Sequence, residues 1–244
     1  MRATLNAEWL KLRTTRAYAG LIAGAVGVAA LGAFSTVASA PVHSLSGPVH
    51  SQTFWMLASI NIGLFALIVG IRSYTEEFRH RTVVHTLFAD PARIRSAIAK
   101  AIVAAAAAAL LATIAAAGMT LVGLAMASAK GGNLSLAASD VEAFAGFLLA
   151  TGLWAIVGVG IGALVRHQVP AIVGALVWVL VIENLGAAFL GAAGRYLPGQ
   201  SAHALAGADL PDLLAPTVGA AVLATYAAVL WMAGAAAMRQ RDVA

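Results

Sequence analysis

The sequence predicts an all-α membrane protein, and three observations support this. Of its 244 residues, 61% are hydrophobic and only 10% are charged, whereas soluble domains are about 45–50% apolar and about 25% charged. Six apolar blocks approach or exceed the length of about 20 residues that a helix needs to cross a bilayer. Lys and Arg lie mainly beside alternate ends of these blocks. We therefore expect one transmembrane domain over residues 1–244.

The six apolar blocks are predicted to be helices. Backbone groups in lipid find no water to bond with, and the alternating pattern of an outer-membrane β-barrel is missing. The second block is short for a membrane span, and the third is long and rich in Ala. In chain order the blocks are Ala17–Ala38, Phe54–Ile71, Ala97–Met126, Ala143–Val165, Pro170–Leu190 and Pro216–Ala237.

The positions of Lys and Arg predict the orientation. With the N-terminus inside, only Lys130 and Arg195 of the 15 Lys and Arg residues lie outside. This asymmetry predicts a multi-pass protein of the plasma membrane with both termini in the cytoplasm. The net charge of +5 then reflects membrane topology, and we expect no nucleic-acid partner.

The N-terminal region has two features that need interpretation. Ala38–Ala40 resembles a signal-peptide cleavage site, but the preceding apolar block is long for such a peptide, which favours a retained helix. Residues 1–16 are predicted to form an amphipathic helix on the inner membrane surface, because Leu5, Trp9 and Leu12 share one helical face. The alternative is a basic flank that only sets topology.

The segment 72–96 is the longest charged stretch that we place in the cytoplasm. It combines charges of both signs with apolar anchors, and Asp90-Pro91 is expected to end its helix. Such a segment suits docking on a soluble partner, whereas the alternative is a solvated hairpin. The charged residues are Glu76, Glu77, Arg79, His80 and Arg81, and the anchors are Val83, Val84, Leu87 and Phe88.

The predicted spans contain two further features. Gly158 and Gly162 are spaced for close helix packing, and a nucleotide fingerprint is disfavoured because no strand precedes them. Glu183 and Asn184 form an intramembrane polar site in the fifth span. Glu183 is either a functional acid or a structural group hydrogen-bonded to another helix, and the sequence leaves both open.

Catalysis by this chain is not expected. The sequence has no Cys, its six His residues lack metal-ligand spacing, and no nucleophile elbow is present. It also lacks the GxxxxGK[ST] phosphate loop. We therefore expect no metal site and no cofactor bound by this chain.

Four segments, in order along the chain, resemble one family. They are AEWLKLRTTR (Ala7–Arg16), EFRHRT (Glu77–Thr82) followed by Thr86-Leu87 and Pro91, GVGIGALVRHQ (Gly158–Gln168), and Leu197–Gly199 with Ala204-Leu205. They are similar to the entry helix, first cytoplasmic loop, fourth-helix end and last outside loop of permease subunits of type-2 ABC transporters, in the bacterial, actinobacterial branch. Many relatives have Gly where Arg81 stands.

The resemblance implies a function. Two permease subunits, alike or different, would pair above two ABC ATPase subunits that bind ATP and Mg, and residues 192–215 would form an extracytoplasmic loop. The chain would carry a substrate path for export, with ATP hydrolysis on the partner. The residues implied to couple to the ATPase are Glu76, Glu77, Phe78, Arg79, Arg81, Thr82, Val84, Leu87 and Phe88. The alternatives are a non-transporting scaffold of a regulatory or sensing complex and an intramembrane enzyme.

Overall fold

A computed structural model describes residues 1–48, 51–79, 93–135, 138–208 and 212–240. The described chain is all-α apart from two strands of three residues each. Its helices are α1 (Arg2–Thr14), α2 (Arg16–Ser39), α3 (Ser51–Arg79), α4 (Arg93–Ala129), α5 (Ala138–Val165), α6 (Gln168–Val177), α7 (Glu183–Phe189), α8 (Pro198–Leu205) and α9 (Pro216–Gln240). The strands are β1 (Ser46–Pro48) and β2 (Asn133–Ser135), 3-10 turns cover Val42–Leu45 and Gly191–Tyr196, and a π-helical turn covers Trp178–Ile182.

Five helical stretches are long and apolar enough to cross a membrane, within the part of the chain that the structure describes. They match five of the six predicted blocks. The second block, Phe54–Ile71, lies inside α3, which is not among the five. Arg72, Glu76 and Glu77 follow this block in the C-terminal part of α3. The five spans are Arg16–Ser39, Ile94–Ala129, Asp140–Val165, Gln168–Phe189 and Pro216–Met238.

The helix bundle has two chemically different ends. At the charged end, which we define by Glu8, Glu77, Lys100 and Arg166, side chains of α1, α3 and α4 form ion pairs. At the opposite end, β1 pairs with β2 in parallel, with Ser46 opposite Asn133. Because α3 follows β1 and finishes beside Lys100, it runs the full length of the bundle between the two ends.

Glycines allow close helix contacts at the centre of the bundle. α5 packs between α3 and α9 and also contacts α4. Gly158 and Gly162 face α3, where an added Cβ would overlap the carbonyl oxygens of Leu67 and Ile71 respectively. Gly160 faces the other way, toward the backbone of α9. The packing glycines predicted from sequence thus lie at a helix contact within this chain.

The outer surface of the bundle is apolar. Only 17% of the most apolar stretch of Gln168–Phe189 is buried, against 56% in Asp140–Val165. Gln168–Phe189 matches the fifth predicted block, is called the fifth span here, and lies at the periphery of the bundle. Val169, Val173 and Phe189 are among its exposed side chains. Large exposed apolar surfaces are rare on soluble monomers and mark contact with a membrane or a partner.

The N-terminal helix α1 packs on the rest of the bundle. The helix forms as predicted, but its apolar face packs on the protein: Leu12 is buried, and Leu5 and Trp9 pack against the same core cluster. Its closest neighbour is α4. The amphipathic pattern was therefore satisfied by a helix-on-helix contact, which the sequence could not distinguish from contact with a lipid surface.

One side chain caps the end of α2. The ammonium of Lys130 donates hydrogen bonds to the carbonyl oxygens of Val37, Ala38 and Ala40 at 2.9, 2.7 and 3.2 Å. The last carbonyls of a helix lack partners within the helix, and a cation there also interacts favourably with the helix dipole. This contact explains why a cation occupies the end of the bundle that is otherwise poor in positive charge.

Candidate functional site

The charged end contains an ion cluster made of Glu8, Lys11, Glu77 and Lys100, of which all but Lys11 are buried. Lys100 is only 2% exposed, although it lies in the first turns of a long apolar helix. Its ammonium is 2.9 Å from Oε2 of Glu8 and 2.7 Å from Oε1 of Glu77. It also donates a hydrogen bond of 3.3 Å to the carbonyl oxygen of Ser73. All three donor hydrogens of the ammonium therefore have acceptors within reach.

Lys11 completes the ion cluster from α1. Its ammonium is 2.9 Å from Oε1 of Glu8 and 2.8 Å from Oε1 of Glu77. The two carboxylates and two ammonium groups balance in charge. Burial of an ion costs several kcal/mol unless its charge and hydrogen-bonding capacity are satisfied. The cluster therefore stabilises the junction of α1, α3 and α4 only while all four members are present.

Each member of the pair Lys11–Glu77 holds the other in its charged form. Burial alone would lower the pKa of Lys11, but hydrogen bonds to Glu77 and Glu8, together with their charges, raise the pKa above its usual 10.5. Burial would raise the pKa of Glu77, but the charge of Lys100 and hydrogen bonds from Lys100 and Lys11 hold the pKa below its usual 4.5. Both groups are thus ionised across the neutral range.

Aromatic rings extend the ion cluster toward α5 and α9. The ammonium of Lys100 lies 5.8 Å from the ring centre of Tyr74, whose ring is 5.8 Å from that of Phe78. The guanidinium of Arg166 lies 5.3 Å from the ring centre of Phe78 and donates a 3.3 Å hydrogen bond to the carbonyl oxygen of Ala237. Arg166 adopts a φ of 62°, in the left-handed region, at the end of α5. A continuous set of contacts therefore joins α1 to the last helix.

Of the nine residues that the family resemblance assigned to ATPase coupling, Glu77 belongs to the ion cluster, and the other eight fall into three groups. Glu76 pairs with Arg72 on the same helix, and Phe78 packs as described. Arg79 is the last residue of α3. The remaining five lie outside the described residues: Arg81, Thr82, Val84, Leu87 and Phe88.

Glu77, which the resemblance implies as a coupling residue, lies inside the charged end of the bundle. Its carboxylate is buried and accepts hydrogen bonds from Lys11 and Lys100. The side chain points into the bundle because two ammonium groups from α1 and α4 are there to receive it.

Three members of the ion cluster were missed by the sequence argument, namely Glu8, Lys11 and Lys100. Glu8 stood out weakly, since it is the only acidic residue in residues 1–16. Lys100 stood out more, because it lies between Ala-rich stretches, four residues into the block that begins at Ala97. A lone cation within an apolar helix requires a partner, and the partners are 92 and 23 residues away in sequence.

Glu183 forms a second polar centre, near the end of the fifth span. It is 4% exposed, and its Oε1 accepts a 3.1 Å hydrogen bond from the indole nitrogen of Trp178. Its Oε2 accepts a 2.7 Å hydrogen bond from the backbone nitrogen of Gly199, in the first turn of α8. Asn184 instead donates to Leu180 on its own helix at 2.9 Å. Of the predicted polar pair, only Glu183 therefore joins separate elements in the contacts described here.

Within the described residues, no group of three His, Asp or Glu side chains is arranged to hold a metal ion. No family model matches this chain, and no curated protein matches it. The ion cluster and Glu183 are therefore the features from which a function is inferred.

Proposed function

We propose that this chain is the permease subunit of a type-2 ATP-binding cassette exporter, driven by a separate ATPase. The observation that supports this most is the ion cluster, because it binds α1 to α3 and α4, the two helices that flank the expected docking segment. A force applied by a partner to residues 80–92 would act on the ends of both helices. The ion cluster and the Phe78–Arg166 contact would then pass it to α1, α5 and α9.

The proposal includes six membrane spans and two cytoplasmic termini. The path of α3 from β1 to the ion cluster, over 29 residues, supports its role as a further span beside the five. The charged end is then the cytoplasmic end. The 37 residues of α4 extend about 55 Å, so this helix exceeds the hydrocarbon thickness of about 30 Å and reaches past the membrane.

The partners proposed are two ATPase subunits and a second permease subunit, which is either a copy of this chain or a homologue. The wide apolar surface of the fifth span leaves room for both lipid and a second subunit. The few polar groups in the spans suit an apolar or amphipathic cargo. The alternative is a scaffold with the same fold that anchors a regulatory or sensing complex.

Co-purification tests the proposal. The tagged chain is extracted from its own membrane in mild detergent, and its bound partners are identified by mass spectrometry. We expect a protein with a GxxxxGK[ST] phosphate loop, and ATP turnover in the reconstituted complex. A stable partner without such a loop would favour the scaffold, and a chain that carries no partner under several mild detergents would contradict the ATPase proposal.

The docking surface is tested by two substitutions. Apolar anchors dominate the energy of most interfaces, whereas rim charges mainly affect specificity and association rate. We expect Phe88→Ala to weaken ATPase association at least about tenfold, and Arg81→Ala to weaken it less. The measurement is the ATPase recovered per permease over a concentration series. Equal recovery for both variants and wild type would move the docking surface to another segment, such as Arg2–Arg16.

A further inference from the structure

The short helix α8 is buried at the opposite end of the bundle. Seven of its eight residues are buried, and Ser201 has no exposed surface. Its neighbours approach so closely that an added Cβ on Gly146 of α5 would overlap the carbonyl oxygen of Leu205, and one on Gly219 of α9 would crowd that of Ser201. The helix therefore fills the space between α5 and α9, and we call α8 the plug.

Glu183 holds the N-terminus of this plug. The first amides of a helix have no acceptor within the helix, and a carboxylate there is stabilised by the amide and by the helix dipole. Oε2 of Glu183 accepts from the amide of Gly199. An added Cβ on Gly199 would overlap that oxygen, so any other residue here would displace the carboxylate from its present position. The contact thus depends on Glu183 and on the absence of a side chain at residue 199.

The segment that presents Glu183 is a π-helical turn. The backbone N–H of Glu183 donates to the carbonyl oxygen of Trp178, five residues earlier, and the indole of Trp178 donates back to the carboxylate. A π-turn holds one residue more than an α-turn and is often found at functional sites. Conversion to α-helical bonding would shift the register by one residue and turn Glu183 by about 100° about the helix axis.

The plug itself contains an unsatisfied group. Among the described residues, the buried hydroxyl oxygen of Ser201 has no hydrogen-bond partner. Buried polar groups almost always have a partner, and each exception calls for an explanation. If the Ser201 hydroxyl gains a partner when α8 moves, the new hydrogen bond favours movement of α8. The hydrogen bond between Gly199 and Glu183 opposes that movement.

We propose that α8 is a movable gate at the outer end of the pathway, and that Glu183 is the latch that keeps it closed. The π-turn at Trp178–Ile182 is the switch: its conversion to α-helical bonding withdraws the carboxylate from Gly199 and frees α8. The role as a gate rests on the proposed transport function. The latch itself is a property of this chain alone.

The latch is tested by thiol accessibility. The chain has no Cys, so Ser201→Cys introduces a single buried thiol. We expect slow reaction with a membrane-impermeant maleimide in the otherwise unchanged protein. Glu183→Gln replaces one acceptor oxygen with an NH₂ group that cannot accept, and we expect labelling to rise about tenfold. Trp178→Phe removes one of the two hydrogen bonds and serves as a milder second variant in case Glu183→Gln does not fold.

Two controls separate a latch from general loosening. Asn184→Ala changes the adjacent residue, which bonds only to its own helix in the contacts described, and should leave labelling of Cys at position 201 slow. Asn133→Cys, at an exposed site in β2, should label rapidly in every background. Equal labelling of position 201 with and without the Glu183 or Trp178 change, whether fast or slow, overturns the latch.

The gate is tested in the complex with the ATPase. Labelling of position 201 should be faster when the ATPase is held in its ATP-bound state than without nucleotide. If an ATPase co-purifies and labelling does not change with nucleotide, the gate is wrong although the transport proposal stands. If no ATPase co-purifies, the transport proposal fails, and the result of the accessibility test on the chain alone still decides whether Glu183 is a latch.

Discussion

Adjacent acidic residues at the end of α3 have unlike surroundings. The carboxylate of Glu77 is buried between Lys11 and Lys100, whereas that of Glu76, among the residues that the structure describes, pairs with Arg72 one turn earlier on the same helix. Glu76 and Glu77 can therefore be compared directly, since one belongs to a partly exposed ion pair and the other to the ion cluster. The difference arises because successive helical positions point about 100° apart.

Glu77→Gln should destabilise the protein strongly, and Glu76→Gln should not. Removal of one partner from a buried ion cluster leaves an uncompensated charge and costs about 3–5 kcal/mol, whereas a partly exposed i,i+4 pair contributes about 0.5 kcal/mol. The measurement is the unfolding midpoint of each variant in the same detergent. Similar losses for the two variants would show that the ion cluster contributes little to stability.

The pH dependence of stability should follow from His203 first and from the ion cluster at the extremes. Burial lowers the pKa of His203 from its usual 6.5 to about 4. The unfolded chain therefore binds a proton that the folded chain does not, and stability is lost as pH falls from 6.5 toward 4. Glu77, with a lowered pKa, adds a loss below pH 4.5, and Lys11, with a raised pKa, adds one above pH 10.5.

His203→Gln provides the matched variant for this pH dependence. Thermal unfolding midpoints of both proteins should be similar at pH 8, and only the wild type should lose roughly 2–3 kcal/mol of stability between pH 6.5 and pH 4 from this residue. Parallel pH curves for the two proteins would exclude His203 as the source of acid sensitivity.

At the scale of elements, the contact between α3 and α5 is made by backbone. Gly158 and Gly162 allow α5 to approach the carbonyls of Leu67 and Ile71. Gly70 of α3 likewise allows close approach, since an added Cβ there would overlap the carbonyl oxygen of Ala155 in α5. Small residues at such positions replace the hydrophobic driving force, which is absent between helices in lipid. The contact is therefore specified by shape.

Gly158→Leu and Gly162→Leu should each reduce folding sharply, because a large side chain at these positions must separate α5 from α3. Gly174→Leu is the matched control, since nothing lies within 4 Å of a Cβ at that residue of α6. The readouts are the yield of monodisperse protein and its unfolding midpoint. The packing interpretation would be lost if all three variants behaved alike.

For the whole molecule, the proposed orientation, with the charged end in the cytoplasm, predicts a labelling pattern in cells. Cys at Asn133 should react with an impermeant thiol reagent added outside, and Cys at Thr14 or Ala92 should not. Ser201, in the expected last outside loop, is buried and is therefore not used as a reporter of orientation. Labelling at Thr14 or Ala92 in intact cells, with an intact membrane shown by a cytoplasmic control, would overturn the orientation.

The all-α architecture and the positions of most apolar helices could be predicted, because they depend on local composition. The lengths of the apolar blocks and the amphipathic period of α1 were readable, and five spans and that helix are found. The ion cluster could not be predicted from the sequence, because the partners of Lys100 depend on how α1 and α3 pack on α4. The contact of Glu183 with Gly199 was equally hidden, since it requires a short helix to fold back against its own span.

The capping of α2 by Lys130 has a consequence for biogenesis. While the chain is being synthesised, α2 is complete some 90 residues before the ammonium that closes its end has been made. In the proposed membrane topology, water alone would bond to these carbonyls at the end of the first span until the α4 segment has crossed. A nascent chain arrested before residue 130 should expose the end of α2 to protease, and one arrested after Gly132 has emerged should protect it.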